Sequence, residues 1–264
     1  MLGLFGRKKL KGRKIAVLAA DGFEKVELTV PVRALRRAGA EVEIVSLRHG
    51  RIRGVNLHEP AGRVHVNKTL REASPADYDG LLIPGGFINP DLLRQSAAAR
   101  NFVRSFDKDS KPIASLCHGP WVLASAGLMD GRTLTSWPGI RDDLVHAGAT
   151  WLDQDVVWDR NLLTSRGPQD LAVFTRSIVD FYSDSTLSQG IAANALESAP
   201  QRDRPPQVVI TAMRWMPRPS FRTAFALIAI TLAIFSRPRR RLMAERRQSA
   251  TLREPSPSLT TVSV

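Results

Sequence analysis

The single cysteine of the chain stands between an apolar run and a His-Gly-Pro sequence, in PIASLCHGPWVLASAGL at residues 112–128. The run 111–116 predicts a buried strand, and Pro120 suits the first turn of a helix that begins near Gly119. A cysteine between a strand end and a helix start lies in a sharp turn, as the nucleophile of a strand–turn–helix elbow does. The start of the helix offers free N–H groups that favour the reactive thiolate. We therefore interpret Cys117 as a nucleophile, although an isolated cysteine can also be an inert core residue.

His118 follows the cysteine directly, and two interpretations of it stay open. It can act as a general base if the turn brings its ring back to the sulfur of Cys117. Adjacent residues in an extended turn often point in opposite directions, and His118 is then a structural histidine. The spacing alone does not decide between the two.

Carboxyl groups come from the first strand–helix junction, AADGFEKVEL at residues 19–28. Asp21 and Glu24 stand three residues apart where a helix is predicted to begin, which is the spacing of a capping box and gives Glu24 a structural role. Glu27 lies one helical step further and is flanked by apolar residues. Burial there raises the pKa of a carboxyl, so Glu27 can stay protonated and hydrogen-bond a thiolate. The alternative is that Glu27 only pairs with a neighbouring basic side chain.

A third strand end carries two adjacent glycines, in IPGGFINPD at residues 83–91. Gly85 and Gly86 leave their backbone N–H groups uncovered, and such groups can stabilise the oxyanion that forms when a thiolate attacks a carbonyl. The alternative is a plain Gly-Gly turn.

The body of the chain alternates short apolar segments with helical patterns. Strands are predicted at 14–20, 41–47, 79–84 and 111–116, and helices at 24–38, 96–109, 119–127, 139–147 and 168–182. Hairpin additions are predicted at 55–70 and at 156–165, the second with its turn at 159–161. The alternation predicts an α/β fold in which a mainly parallel sheet lies between two layers of helices.

The net charge of +13 is located at the two ends of the chain. Residues 1–13 carry five basic and no acidic residues, residues 185–264 carry twelve basic and four acidic ones, and residues 14–184 hold 21 of each sign. We predict a basic N-terminal extension (1–13), one domain (14–184) and a basic, low-complexity, largely disordered tail (185–264). The neutral body argues against a dedicated phosphate-binding surface and against a specific nucleic-acid partner.

The tail contains one apolar run, AFALIAITLAIF at residues 224–235, with arginines on both sides. The run is too short for a membrane span of about 20 residues, so membrane contact by the tail would be interfacial, and a disordered appendage is the favoured interpretation. The N-terminus has no long apolar run or small-residue cleavage site, and a lone cysteine requires no oxidising compartment. We therefore predict a cytoplasmic location.

Five short sequences, in order between residues 14 and 183, carry a resemblance to a known family. They are DGFEKVEL, DYDGLLIPGG, SKPIASLCHGP, LTSWPGIRDDLVHAGATW and NLLTSRGPQDL. Together they resemble the PfpI-type intracellular protease and deglycase family, within the class I glutamine amidotransferase-like superfamily. The likeness covers the body and neither extension. It implies a flavodoxin-like three-layer sandwich that forms a homodimer or a higher homo-oligomer.

The resemblance implies specific roles for the residues of the three loops. Cys117 would be the nucleophile, His118 its neighbour, and Glu27 the carboxyl against the sulfur. Gly86 and the backbone amide of His118 would form the oxyanion pocket, together with Gly85.

The implied pocket also includes Gly119 and Trp137. Trp137 stands where some members have tyrosine, which keeps an aromatic wall without the hydroxyl. Some members add an acid from a neighbouring subunit; the corresponding residue here is Asp91, a shorter acid in a shifted register. Glu24 and Asp91 are therefore only accessory candidates.

The resulting hypothesis is a cysteine-dependent hydrolase without cofactor or metal, with protease, deglycase or glyoxalase activity. Its substrate would be a small-molecule carbonyl compound, a peptide or a protein. Glutamine hydrolysis is disfavoured because the late region TSRGPQDL lacks the His-x-Glu element of true amidotransferases. Two non-catalytic alternatives remain: a redox-sensing or chaperone-like stress-protection protein, and a binding module tethered to membrane by its tail.

Overall fold

The computed structural model of the chain describes residues 8–183 and 197–202. Its strands are β1 (Lys14–Leu18), β2 (Phe23–Glu24), β3 (Glu41–Ser46), β4 (Arg51–Asn56), β5 (Glu59–His65), β6 (Lys68–Thr69), β7 (Gly80–Ile83), β8 (Ile113–Leu116), β9 (Thr133–Leu134), β10 (Thr150–Trp151), β11 (Val156–Asp159) and β12 (Leu162–Ser165). Its α-helices are α1 (Lys25–Arg37), α2 (Ile88–Gln95), α3 (Ala97–Lys108), α4 (Pro120–Ser125), α5 (Arg141–His146) and α6 (Leu171–Ser183).

Seven strands form one sheet in the order β11-β12-β8-β7-β1-β3-β6. Neighbouring strands run parallel except β11 and β12, which form an antiparallel hairpin. The four strands predicted from apolar runs are β1, β3, β7 and β8, and all four lie inside this sheet. The mainly parallel α/β fold is therefore confirmed.

Helices cover both faces of the sheet because successive side chains of each buried strand point to opposite faces. In β1, Ala16 and Leu18 pack in the core under α3, α4 and α5, whereas Ile15 and Val17 pack under α1 and α6. The strands β7 and β8 are buried along their whole length. The result is the three-layer sandwich that the sequence predicts.

Smaller sheets extend the sandwich. β4 and β5 form an antiparallel hairpin that joins β2, and β9 pairs with β10. Both predicted hairpins are confirmed, although the first spans residues 51–65 rather than 55–70, and the turn of the second lies between Asp159 and Leu162.

The helix α2 was not predicted. Residues 88–95 read as a loop because Asn89 and Pro90 disfavour the interior of a helix, but here they occupy the first turn, where a proline is tolerated. α3 starts directly after α2, at Ser96, whose side chain accepts a hydrogen bond from the Ala99 amide (3.2 Å) as an N-cap does.

Parts of both predicted extensions pack against the body. Leu10 is fully buried, and its amide donates to the Ala38 carbonyl at 2.9 Å, so this residue packs against the body. Ala199 donates from its amide to the Trp151 carbonyl at 2.8 Å, and Arg202 pairs with Asp153 at 2.6 Å. The rest of the tail, including the apolar run 224–235 and its predicted disorder, lies outside the described residues.

Across residues 8–183 and 197–202, none of the helices combines the length and the apolar character that crossing a membrane requires.

Candidate active site

Cys117 follows β8 in a strained turn at the carboxyl end of the sheet. Its φ is +58°, the left-handed region that costs a residue with a side chain about 1–2 kcal/mol. Backbone hydrogen bonds on both sides hold this conformation: the Cys117 amide donates to the Ser165 carbonyl at 3.0 Å, and the Trp137 amide donates to the Cys117 carbonyl at 3.0 Å. The strand–turn–helix elbow predicted from the sequence is present.

Close packing around the elbow requires glycine at two of the predicted pocket positions. A Cβ atom on Gly85 would lie 2.5 Å from both Cys117 Cβ and Glu27 Oε2. A Cβ atom on Gly119 would lie 2.4 Å from the Ser115 hydroxyl. Because glycine has no side chain, Gly85 and Gly119 leave space for Cys117 to lie in contact with the carboxyl group of Glu27.

Gly86 needs glycine for a second reason, because its φ is +80°. A Cβ atom there would lie 2.3 Å from the Gly22 carbonyl oxygen and 2.6 Å from the Glu24 nitrogen. The glycine loop after β7 therefore packs directly on the loop after β1. The Gly86 amide faces the sulfur of Cys117 and lowers the pKa of the thiol.

Glu27 is a fully buried carboxyl on α1, in contact with the glycine loop. Its Oε2 accepts a hydrogen bond from the Gly85 amide at 2.8 Å, while Oε1 has no nitrogen or oxygen partner among the described residues. Burial raises the pKa of Glu27 to about 8, although the Cys117 thiol and the Gly85 amide act in the opposite direction. Glu27 is therefore mostly protonated at neutral pH.

The thiol of Cys117 and this carboxyl titrate as a coupled pair. Burial raises the pKa of the thiol well above its ordinary value, and the negative charge of an ionised Glu27 raises it further. The backbone amides of Gly86 and His118 lower it. When Glu27 is protonated its charge is gone, and its O–H becomes a donor that favours the thiolate.

His118 turns its ring back toward the nucleophile. Its Nδ1 lies 3.2 Å from Cys117 Sγ, in the place that a general base requires. The ring stacks on Trp137, with centroids 5.8 Å apart, and meets the edge of Trp121 at 5.2 Å. Burial in this aromatic setting lowers the pKa of His118 to about 4, so the imidazole is neutral at pH 7.

Among the described residues, neither accessory acid forms a hydrogen bond with the sulfur. The predicted capping box is wrong, because α1 starts at Lys25 and Glu24 is its N-cap, without a side-chain cap. Glu24 instead accepts a hydrogen bond from the Leu57 amide at 2.7 Å, and Asp21 binds Arg48 at 2.8 Å. Asp91 is exposed in the first turn of α2, so a contribution from it across a subunit interface stays a prediction.

Two further residues complete the surroundings of the sulfur and were not singled out from the sequence. Trp121 lies one residue after Pro120 in the elbow sequence and flanks His118. Gly167 lies in the loop after β12, where a Cβ atom would be 3.8 Å from Cys117 Sγ and 3.5 Å from Trp137 Cε3. Both lie within the quoted sequences CHGPW and SRGPQDL, so the motifs marked the segments without marking these positions. In the part of the chain that the structure describes, no group of three or more His, Cys, Asp or Glu side chains could hold a metal ion.

Known proteins of the same architecture share this chain's body. A protein named deglycase TK1284, from Thermococcus kodakarensis, is 40% identical over 166 residues, which is 63% of this chain and 97% of the relative. A Bacillus subtilis protein, YraA, is named as a candidate cysteine protease. It is 41% identical over 165 residues, which is 62% of this chain and 95% of the relative. The crystal structure of Drosophila melanogaster DJ-1beta superimposes with a TM-score of 0.59 at 28% identity, covering 67% of this chain and 94% of that one.

The sequence model of the DJ-1/PfpI family matches residues 13–181, which include every residue of the elbow, the glycine loop and α1. This span is more than half of the chain. The chain therefore belongs to the DJ-1/PfpI family.

Proposed function

We propose that this protein is a cysteine-dependent hydrolase that acts on small carbonyl adducts, with Cys117 as the nucleophile. The observation that carries the proposal is the placement of one sulfur against both His118 Nδ1, at 3.2 Å, and the buried carboxyl of Glu27. A nucleophile in contact with a base and a proton donor is the arrangement that covalent catalysis uses. Relatives named deglycase, about 40% identical, support the carbonyl-adduct class.

The reaction begins when the thiol of Cys117 gives its proton to His118 Nδ1, 3.2 Å away, and the sulfur adds to a carbonyl carbon. The S–C bond forms, the π electron pair moves to the carbonyl oxygen, and that oxygen takes a proton from Glu27 or remains an oxyanion near the amides of Gly86 and His118. The product is a hemithioacetal, or an acyl-enzyme when an amine leaves. His118, neutral at pH 7, takes and returns the proton that the leaving amine and the incoming water require.

The closed surroundings of Cys117 favour a small substrate over a polypeptide. Only 6% of Cys117 is exposed, and Trp137 and Gly167 lie against it. An extended peptide needs a groove several residues long beside the nucleophile, whereas a carbonyl compound of a few atoms needs only a narrow opening. The peptidase activity suggested by the name of YraA is therefore the second choice within the same chemistry.

The test compares two substrates on the full chain and its Cys117→Ser variant. We expect the wild type to release N-acetylarginine, with its guanidine group free, from its methylglyoxal adduct, and the variant to lose at least about a hundredfold in kcat/KM because the alcohol is a weaker nucleophile. A fluorogenic peptide assayed in parallel should be hydrolysed much more slowly. Equal turnover of the adduct by both proteins would refute the proposal. Hydrolysis of the peptide faster than that of the adduct would indicate that the protein is a peptidase instead.

The single cysteine supplies a matched control without mutation. Iodoacetamide has only one thiol to alkylate in this chain, so the loss of activity should follow the alkylated fraction measured by mass spectrometry. Cys117→Ser treated in the same way should keep whatever residual rate it has. An alkylated protein with full activity would contradict the role of the sulfur.

A redox-sensing role is the second candidate, and the buried, protonated carboxyl of Glu27 against the thiol favours it. A protonated carboxyl can hydrogen-bond the oxygen of an oxidised sulfur. In that case dilute hydrogen peroxide adds one or two oxygen atoms to Cys117 selectively, in a protein that turns over no carbonyl substrate. Glu27→Ala should then slow the oxidation or make its product unstable.

A further inference from the structure

A cleft of about 530 Å³ lies outside the surroundings of Cys117, between the β4–β5 hairpin and the loop after β1. Its lining is rich in arginine and contains no lysine. The charged and titratable side chains that line it are Asp21, Arg48, Arg51, Arg53, His58 and Arg63.

The hairpin register places like charges side by side. Arg53 of β4 lies directly opposite Arg63 of β5, and Arg51 lies opposite His65. Directly opposite residues share one face of the hairpin with their Cβ atoms about 5 Å apart, and like charges in that position are destabilising. Within residues 8–183 and 197–202, no carboxylate lies within 4.0 Å of the guanidinium groups of Arg51, Arg53 or Arg63.

The one carboxylate of the cleft is already engaged. The Asp21 carboxylate accepts hydrogen bonds from Nε and Nη2 of Arg48, at 2.9 and 2.8 Å, and from the Arg53 amide at 2.9 Å. The Gly22 amide donates to the Arg53 carbonyl at 2.7 Å, and Glu24 holds the hairpin tip through Leu57. These contacts fix the hairpin on the loop after β1, so its arginine face is held in place before any ligand arrives.

This arrangement fits a doubly charged oxyanion. The planar guanidinium fork binds phosphate or carboxylate oxygens in pairs, which the ammonium of lysine cannot do. A cleft of this volume also has room for a small organic group attached to the anion. We propose that the cleft is a binding site for a phosphate group, held between the opposed Arg53 and Arg63 with Arg51 beside them.

The cleft is connected to the nucleophile through Gly22. Gly22 lines the cleft, and its carbonyl oxygen packs on Gly86, whose amide faces the sulfur of Cys117. A phosphate in the cleft can therefore belong to a carbonyl substrate, a possibility that rests on the function proposed above, or to a separate phosphorylated ligand. The recognition chemistry is the same in both cases.

The binding test is a calorimetric titration of the full chain with sodium pyrophosphate at about 0.15 M ionic strength, where weak surface attraction is screened. We expect one saturable site in the wild type, and binding at least tenfold weaker in R53Q/R63Q. The matched control is R33Q/R37Q, which removes two exposed arginines from α1 and changes the net charge equally. Its affinity should stay within twofold of the wild type. No saturable binding by the wild type, or equal weakening in both double variants, would overturn the proposal.

Two further measurements separate recognition from folding and from bulk charge. The variant R53K/R63K keeps both charges but loses the fork, and we expect several-fold weaker binding; an affinity equal to that of the wild type would refute guanidinium recognition. Pyrophosphate should raise the melting temperature of the wild type and not that of R53Q/R63Q. Without pyrophosphate, R53Q/R63Q should melt no lower than the wild type, because the opposed charges are gone.

The source of the phosphate is distinguished by comparing two substrates, the adducts that glyceraldehyde 3-phosphate and glyceraldehyde form with the side-chain amine of N-acetyllysine. A phosphate carried by the substrate gives a wild-type preference for the phosphorylated adduct that R53Q/R63Q loses, while amine release from the glyceraldehyde adduct is unchanged. A separate ligand gives no such preference, while pyrophosphate still binds. Failure of the proposed function has a different signature, since neither adduct would release amine in a way that depends on Cys117, and pyrophosphate would bind equally to Cys117→Ala.

Discussion

The protonated state of Glu27 predicts that the Glu27→Gln variant gains stability over the wild type as the pH rises. In the unfolded chain the carboxyl ionises near pH 4.5, but in the folded protein burial raises its pKa to about 8. A group with a raised folded pKa stabilises the fold fully below pH 4.5, and that stabilisation is lost as the pH rises through 8. Glutamine at position 27 does not titrate, so the stability of the variant does not fall for this reason as the pH rises.

The magnitude follows from the two pKa values. Each tenfold change in proton affinity is worth about 1.4 kcal/mol, so the full rise from 4.5 to about 8 corresponds to an upper bound of about 5 kcal/mol. Between pH 5 and pH 8 the wild type should lose about 3.5 kcal/mol relative to Glu27→Gln. The amide side chain of this variant can still accept a hydrogen bond from the Gly85 amide, so that contact is retained.

The assay is urea unfolding of both proteins, with a reducing agent present, at four or more pH values from 5 to 8. The difference in free energy of unfolding between variant and wild type is compared, because other titrating groups cancel in it. Val30→Ala, at an exposed residue that does not titrate, is the control and should show a difference that does not depend on pH. A difference that is also flat for Glu27→Gln would refute the argument that burial keeps Glu27 protonated.

Three other substitutions test the geometry of the site. Cys117→Gly should be about 1 kcal/mol more stable than Cys117→Ala in chemical denaturation, because glycine accepts the φ of +58° without strain; a less stable glycine variant would contradict this. Gly85→Ala should lose about 1–3 kcal/mol of stability and most of the activity, since its methyl group would lie 2.5 Å from Cys117 Cβ and Glu27 Oε2; normal activity would show that the loop can move away. Burial lowers the pKa of His118 to about 4, so the pH profile of kcat/KM should show no inflection near pH 6.5. The stability that the neutral imidazole contributes should be lost as the pH falls below 6.5 and be gone below about 4. An inflection near pH 6.5 that His118→Gln removes would contradict the burial argument.

The sequence predicts the central fold because its signals there are local and consistent. Short apolar runs bounded by turn residues predict β1, β3, β7 and β8, since strands covered on both faces need apolar side chains along their whole length. The helix α2 was not predicted because Asn89 and Pro90 give the opposite local signal, and only the packing of its buried residues against the body makes a helix stable there. The packing of Leu10 and Ala199 on the body was also beyond prediction, since neither segment has a periodic pattern.

The sequence by itself determined the chemistry of the candidate site: a cysteine at a strand end, a glycine pair after a second strand and a glutamate in an apolar stretch. Parallel strands bring their carboxyl ends to one edge of the sheet, so the sequence already implies that these segments lie close together. Only the tertiary structure decided where individual side chains point. It turned His118 back to the sulfur and used Asp21 and Glu24 to anchor the hairpin instead of capping α1. The physical reason is that spacing fixes which segments are neighbours, whereas the direction and burial of a side chain depend on atoms contributed by distant parts of the chain.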